Sequence, residues 1–192
     1  MEKVIPTRIE AFELLKEYTS NPSLLRHALA VESVMRHFAG VLGEPDREKW
    51  GVIGLAHDLD YERHPESHCK KVREILTEKR WPEEYIRAIE SHGWKLCTDV
   101  EPREPMEKAL YAVDELTGLI SAVAILRPSK SVLDLTAKSV KKKWKDKAFA
   151  AGVNRAVIEE GAKSLGMELD VLIAETIRGM QDVAEEIGLK GE

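Results

Sequence analysis

Leu55-Ala56-His57-Asp58-Leu59-Asp60 sets a histidine directly before an aspartate, at the end of the apolar segment Trp50-Gly51-Val52-Ile53-Gly54-Leu55-Ala56. Imidazole and carboxylate together suit divalent metals of intermediate hardness. A lone His-Asp pair arises often by chance, so its weight comes from its company. His27 lies upstream, and His68, His92 and Asp114 lie downstream. By periodicity the four histidines fall on inward or helix-end positions. Asp114 follows Ala109-Leu110-Tyr111-Ala112-Val113, where a core helix should be apolar. A buried ionised carboxylate is costly unless it is paired or coordinated. His27, His57, Asp58, His68, His92 and Asp114 therefore read as one metal site gathered from several helices. Core histidines beside a buried ion pair are the plainer alternative.

Outward from that stretch nearly every segment reads as helix. Period-two runs of β-branched residues are missing, and Pro and Gly fall between the periodic stretches. The expectation is one all-α domain, a single helical bundle over residues 1–192, with no repeat or linker. Thr7-Arg8-Ile9-Glu10 is a capping-box pattern for a first helix to about Tyr18. The second helix runs from about Ser23 to Leu42 and stops at Gly43. His27 shares its apolar stripe with Leu24, Ala28, Val31, Val34, Met35 and Phe38, while His37 sits on a more polar face and reads as a surface residue. The third helix, from about Asp46, ends at His57-Asp58. Gly51 and Gly54 inside it each cost about 1 kcal/mol relative to Ala, which calls for close approach by a neighbouring helix.

Beyond a loop, a fourth helix is expected from about Glu66 to Lys79, with His68, Val72, Ile75 and Leu76 on one side. In the fifth, after Trp81-Pro82, Tyr85, Ile86, Ile89, His92 and Leu96 share a stripe. A long apolar helix from about Met106 to Leu126 carries Asp114. Ser131-Val132-Leu133-Asp134 reads as the start of a short helix. Two final helices run from about Asn154 to Leu165 and from Asp170 to Ile187. The apolar stripe of the last allows packing within the chain or a homodimer contact, and its width favours the former.

Composition narrows the classes. Of 192 residues 43% are hydrophobic, enough for a sizeable core. The net charge of −5 argues against nucleic acid as a partner. The start has no apolar core of signal-peptide length, and the apolar stretch Leu119 to Leu126 is too short to span a bilayer. No membrane association is expected. Cys69 and Cys97, without CxxC spacing, give no disulfide framework and fit a reducing cytoplasm. Cys69 reads as structural. The basic run from Lys138 to Lys147 reads first as a solvated helix face and second as a phosphate-attracting rim with Arg155.

The order His27, then His57-Asp58, then Asp114 resembles the HD-domain superfamily of metal-dependent phosphohydrolases. That resemblance implies an all-α fold in which these four positions bind a divalent metal. Dinuclear members insert two more histidines, which His68 and His92 match in order and setting, and Ile89-Glu90-Ser91-His92-Gly93 is similar to the stretch around the second. The similarity covers residues 23–118, with a helical extension over 119–192. A familiar lysine after the His-Asp pair is missing, and Arg63 is its only stand-in. His64 rivals His68 as a ligand but precedes Pro65 in a loop.

The implied function is hydrolysis of a small phosphorylated substrate, such as a nucleotide, with His57 and Asp58 catalytic and one or two ions of Mn, Fe, Co or Mg as cofactor. Asp58, with two oxygens, is the best candidate to bridge two ions. Arg63, Trp94 and Arg155 are the candidate substrate contacts, Trp94 by stacking on a base. Two rival readings share this ligand set: a diiron oxygenase, and a non-catalytic binding or regulatory module that keeps metal for stability.

Overall fold

The computed structural model describes residues 3–146 and 148–191. Its helices are α1 (Arg8–Tyr18), α2 (Pro22–Val41), α3 (Arg47–Ala56), α4 (Lys70–Glu78), α5 (Glu83–Ser91), α6 (Pro105–Leu126), α7 (Ala137–Trp144), α8 (Arg155–Ser164) and α9 (Leu169–Gln181). A 3₁₀ turn, Pro65–Ser67, precedes α4. The described residues contain no strand, only isolated bridges between Trp94 and Thr98 and between Ser131 and Lys190. The all-α, single-domain expectation holds.

Capping places the first elements. The Thr7 hydroxyl accepts from the Glu10 N–H while Glu10 reaches back to the Thr7 N–H, so two otherwise unpaired donors are satisfied reciprocally. Asn21 caps α2 by accepting from the Ser23 N–H, with Pro22 at the first helical position. Gly43, at φ +73°, turns the chain from α2 towards α3.

Helices α2 and α3 then pack closely. A Cβ on Gly54 would stand 2.9 Å from the Val31 carbonyl oxygen and 2.9 Å from Met35 Cγ. The missing methyl is what lets the two backbones approach, as the helix-interior glycine suggested. Helix α6 packs against α2, α5, α7, α8 and α9. Leu110, Val113, Leu116, Leu119 and Ile120 are wholly buried along it. Over its full 22 residues α6 is long and apolar enough to cross a membrane, which the shorter stretch Leu119 to Leu126 did not reveal. In this fold 61% of its most apolar window is buried. Helix α9 lays Leu172, Ile173, Ile177 and Met180 into the core beside α2 and α6.

Three expectations need correction. The segment from Ser131 to Asp134 forms no helix. Ser131 pairs with Lys190, its hydroxyl accepts from the Leu133 N–H, and the next helix starts at the Thr136 cap. His37 is not a free surface residue, because its Nε2 meets Glu175 of α9 at 2.7 Å. Cys69 and Cys97 are not independent: they form a disulfide across 28 residues, with Cα atoms 6.3 Å apart. Sequence spacing gave no sign of this, because the pairing depends on two tight turns far apart in the chain. One is at Cys69 (φ +68°) and the other follows His92, where Lys95 has φ +65°.

Candidate metal centre

Four histidines and two aspartates converge at one end of the bundle. His27 projects from the second turn of α2, His57 and Asp58 follow the last residue of α3, His92 caps α5 and Asp114 lies midway along α6. His68 arrives differently from the helical stripe expected of it. It ends the 3₁₀ turn, and the positive φ at Cys69 separates it from α4. His64 takes no part in either group of converging donors among the described residues.

Each imidazole is oriented by its Nδ1. His57 Nδ1 donates to the Gly54 carbonyl at 2.8 Å, and His92 Nδ1 donates to the Ile89 carbonyl. His68 Nδ1 donates to Asp60 Oδ1 at 2.7 Å. His27 Nδ1 meets the Thr117 hydroxyl at 3.4 Å. That hydroxyl gives its own proton to the Asp114 carbonyl at 2.7 Å, so it faces His27 as an acceptor. All four rings are thereby held with Nε2 free to face inward. Such supporting bonds fix the tautomer and ring angle of metal-binding histidines.

The Nε2 atoms converge in two pairs. His27 and His57 stand 3.2 Å apart, as do His68 and His92. Asp114 Oδ1 closes the first pair, at 2.9 Å from His27 and 3.2 Å from His57. Asp58 lies between the pairs. Its Oδ2 faces His57 at 3.4 Å and His27 at 3.8 Å, while its Oδ1 faces His68 at 3.4 Å and His92 at 3.5 Å. Lone pairs facing one another at these distances need a cation among them, either a proton or a metal.

The titration of the cluster reflects that need. Burial pulls His57 towards the neutral form, but the charges of Asp58 and Asp114 outweigh it and raise the imidazole well above its usual value. For Asp58 and Asp114 burial works towards protonation. Charged His57, with hydrogen bonds from the surrounding imidazoles, overrides it and holds both carboxyls below the usual carboxylate range. Burial likewise lowers His68, while its bond to Asp60 and the charge of Asp58 raise it above the ordinary value. The donor set fits a divalent ion: four oriented imidazole nitrogens and two ionised carboxylates.

The centre opens into a cavity of about 310 Å³, lined by His27, Asp58, Tyr61, His68, His92, Leu96, Asp114, Glu115, Val153 and smaller residues. No Lys or Arg is among its lining residues. The substrate contacts expected from sequence, Arg63, Trp94 and Arg155, are not among those residues. Arg63 stacks on Tyr18, 5.1 Å from the ring, and does not line the cavity. Arg155 donates to the Asp146, Phe149 and Val153 carbonyls and so braces the loop before α8. Trp94 packs on Tyr111, 5.6 Å between ring centres, with Lys95 over its ring, and does not line the cavity.

The basic helix α7 behaves as a solvated face. Lys141 pairs with Asp170, Lys143 lies over Phe149 and Trp144 donates to Glu159. Lys147 lies outside the described residues.

Sequence reasoning missed three contributors. Asp60 is wholly buried and accepts from both His68 Nδ1 and the Val72 N–H. Its place two residues after Asp58 was the available signal. Thr117, one helical turn beyond Asp114, had none. Glu115 accepts from the Asn154 N–H and so fastens Gly152 and Val153 over the cavity. Burial and the Asp114 charge raise its carboxyl above the ordinary range.

The HD-domain family model matches residues 24–119, half of the chain and the whole of the converging cluster. The chain belongs to the HD-domain family. Comparison with curated proteins and with solved structures found no match. Among the described residues two groups could hold a metal ion, His27, His57 and Asp114 and His68, Cys69 and His92, with Asp58 facing both. An HD fold carrying such clusters is consistent with general phosphohydrolase-like activity.

Proposed function

We infer that this HD-domain protein is a metal-dependent phosphohydrolase acting on a small phosphoester of nucleotide size. The observation that carries the reading is the position of Asp58, whose two oxygens face opposite histidine pairs. One carboxylate in that position suits two ions, with His27, His57 and Asp114 completing one and His68 and His92 the other. Oxygen and imidazole ligands favour Mn²⁺, Fe²⁺, Co²⁺ or Mg²⁺ there. Bound in this way, divalent ions supply a nucleophile from water at neutral pH and polarise a phosphoryl oxygen.

The protein's own contribution is orientation and selection. The Nδ1 bonds hold the imidazoles in one tautomer, so little rearrangement accompanies binding. The carboxylates Asp58, Asp114 and Glu115 make the cavity by itself repulsive to a phosphate, and no lining Lys or Arg offsets them. Anionic substrate therefore enters only with the cations in place. The non-phosphate part of the substrate would meet Tyr61, Leu96 and Val153. A cavity of about 310 Å³ is at the small end of ligand sites, which favours a single nucleotide or sugar phosphate over a polymer.

The test is phosphate release from a panel of nucleoside monophosphates and simple aryl phosphates, with Mn²⁺, Co²⁺ or Fe²⁺ added to metal-free protein. Turnover is expected only with metal and is expected to vanish in Asp58→Ala. Oxygen uptake by the iron-loaded protein without phosphate release would overturn the reading, as would hydrolysis unaffected by Asp58→Ala.

A further inference from the structure

The proposed hydrolysis leaves one reactive pair unused, the two cysteines. Cys69 directly follows His68 and is wholly buried. Cys97 follows the turn after His92 and lines the cavity. They are bridged, with Cα atoms 6.3 Å apart, inside the usual span of a disulfide. Cys69 Sγ also lies with one ring nitrogen of His68 and one of His92, all within 4.8 Å of one another. The same sulfur is thus bonded to Cys97 and beside the two imidazoles that would hold the second ion. Its two states differ sharply as ligands. A thiolate carries the charge and softness that bind Zn²⁺, Fe²⁺ or Co²⁺, whereas a bridged sulfur carries no charge.

We propose that the Cys69–Cys97 bridge makes occupancy of the second metal position redox-dependent. Reduction frees Cys69 to join His68 and His92 as a third protein ligand, and oxidation withdraws it. This rests on the two-ion reading of the site. The chemistry is ordinary thiol–disulfide exchange. Two equivalents of a thiol reductant become its disulfide, the S–S bond between Cys69 and Cys97 breaks, and each protein sulfur gains a hydrogen. Cys69 then yields its proton to solvent when it binds the cation. In reverse, the two thiols pass two electrons and two protons to a disulfide oxidant. Because Cys97 lines the cavity, a small thiol can reach the bridge from the substrate side. The two positions would also differ in taste, the first built from oxygen and nitrogen alone and the second including sulfur, which disfavours Mg²⁺ there.

The test is titration of oxidised and reduced full-length protein with Co²⁺ under anaerobic conditions. Free thiols are counted by alkylation and mass spectrometry, and bound cobalt is read by elemental analysis and absorption. The reduced protein should bind about two equivalents and show a thiolate-to-cobalt charge-transfer band, and the oxidised protein about one without the band. Cys97→Ser cannot form the bridge but keeps Cys69, so it should hold the second ion and show the band whatever the oxidant. Cys69→Ser also lacks the bridge, and should lose both the band and the redox dependence. Comparing the two variants separates loss of the bridge from loss of the ligand. Two equivalents in both states without a band would overturn the sulfur proposal and leave the two-ion reading standing. No cobalt in either state would overturn both.

Discussion

At the scale of the residue, the site is a problem of surplus lone pairs and negative charge. Four Nε2 atoms and two carboxylates face a common space, and each carboxylate is held ionised against its burial. The six converging residues were legible in the sequence because each breaks the apolar pattern of its helix or helix end. Thr117 was not, since a buried residue that serves another leaves no separate trace, and Asp60 left only its place two residues after Asp58. Asp60→Ala tests that supporting layer. It leaves the His68 Nδ1–H and the Val72 N–H without acceptors, at about 1–3 kcal/mol for each unsatisfied group. It should also weaken the second ion by about 10–100-fold, as loss of such supporting bonds does elsewhere. Calorimetric metal titration beside a thermal melt checks both; unchanged affinity would mean that Asp60 is only structural. Asp60→Asn keeps one acceptor oxygen and should fall between.

At the scale of the element, the HD-type site depends on how closely α3 meets α2. Gly54 sits at the crossing, and its carbonyl is also the acceptor that orients His57. Gly54→Ala should gain up to about 1 kcal/mol of helix propensity. The added methyl would stand 2.9 Å from a backbone carbonyl that cannot swing away. Overpacking of that kind costs about 1–3 kcal/mol, so packing should win and the denaturant midpoint should fall. A midpoint at or above wild type would show the crossing to be slack. The need for such a contact was readable from two glycines in a short helix. The start of α4 was not, because the pattern His68, Val72, Ile75, Leu76 mimics one continuous stripe. The chain in fact breaks at Cys69, where a positive φ outside glycine follows from tertiary constraint.

At the scale of the whole molecule, the family match ends at residue 119, yet the later helices help to shape the site. Glu115 holds the Asn154 backbone, Arg155 braces the loop, and Gly152 and Val153 form one wall of the cavity. The last two helices were legible in the sequence but not that role, and Arg155 is used on backbone carbonyls, which a guanidinium serves as readily as phosphates.

The cluster should also govern the pH dependence of stability. In metal-free protein the raised His57 contributes fully below its unfolded value of about 6.5, and the contribution is lost as pH rises through its higher folded value. Asp58 and Asp114 act oppositely. Their contribution is present above the unfolded carboxylate value and lost as pH falls through the depressed folded values. Metal-free protein should therefore melt lower on the alkaline side. Saturating Mn²⁺ should raise the melting temperature most there, since the cation replaces the departing proton, and should protect least in acid, where protons compete for the same nitrogens. Melts across pH with and without metal check this, and a metal effect independent of pH would contradict it.

The most direct test of the central claim is the metal content of the reduced protein, purified without chelator and measured by mass spectrometry beside Asp58→Ala. With Asp58 between the two histidine pairs, the proposed two-ion site predicts about two ions per chain in the wild type and a loss of both, or of all but a weakly held one, in the variant. An Asp58→Ala protein with wild-type metal content, or a wild type that takes up no ion even on titration, would contradict it.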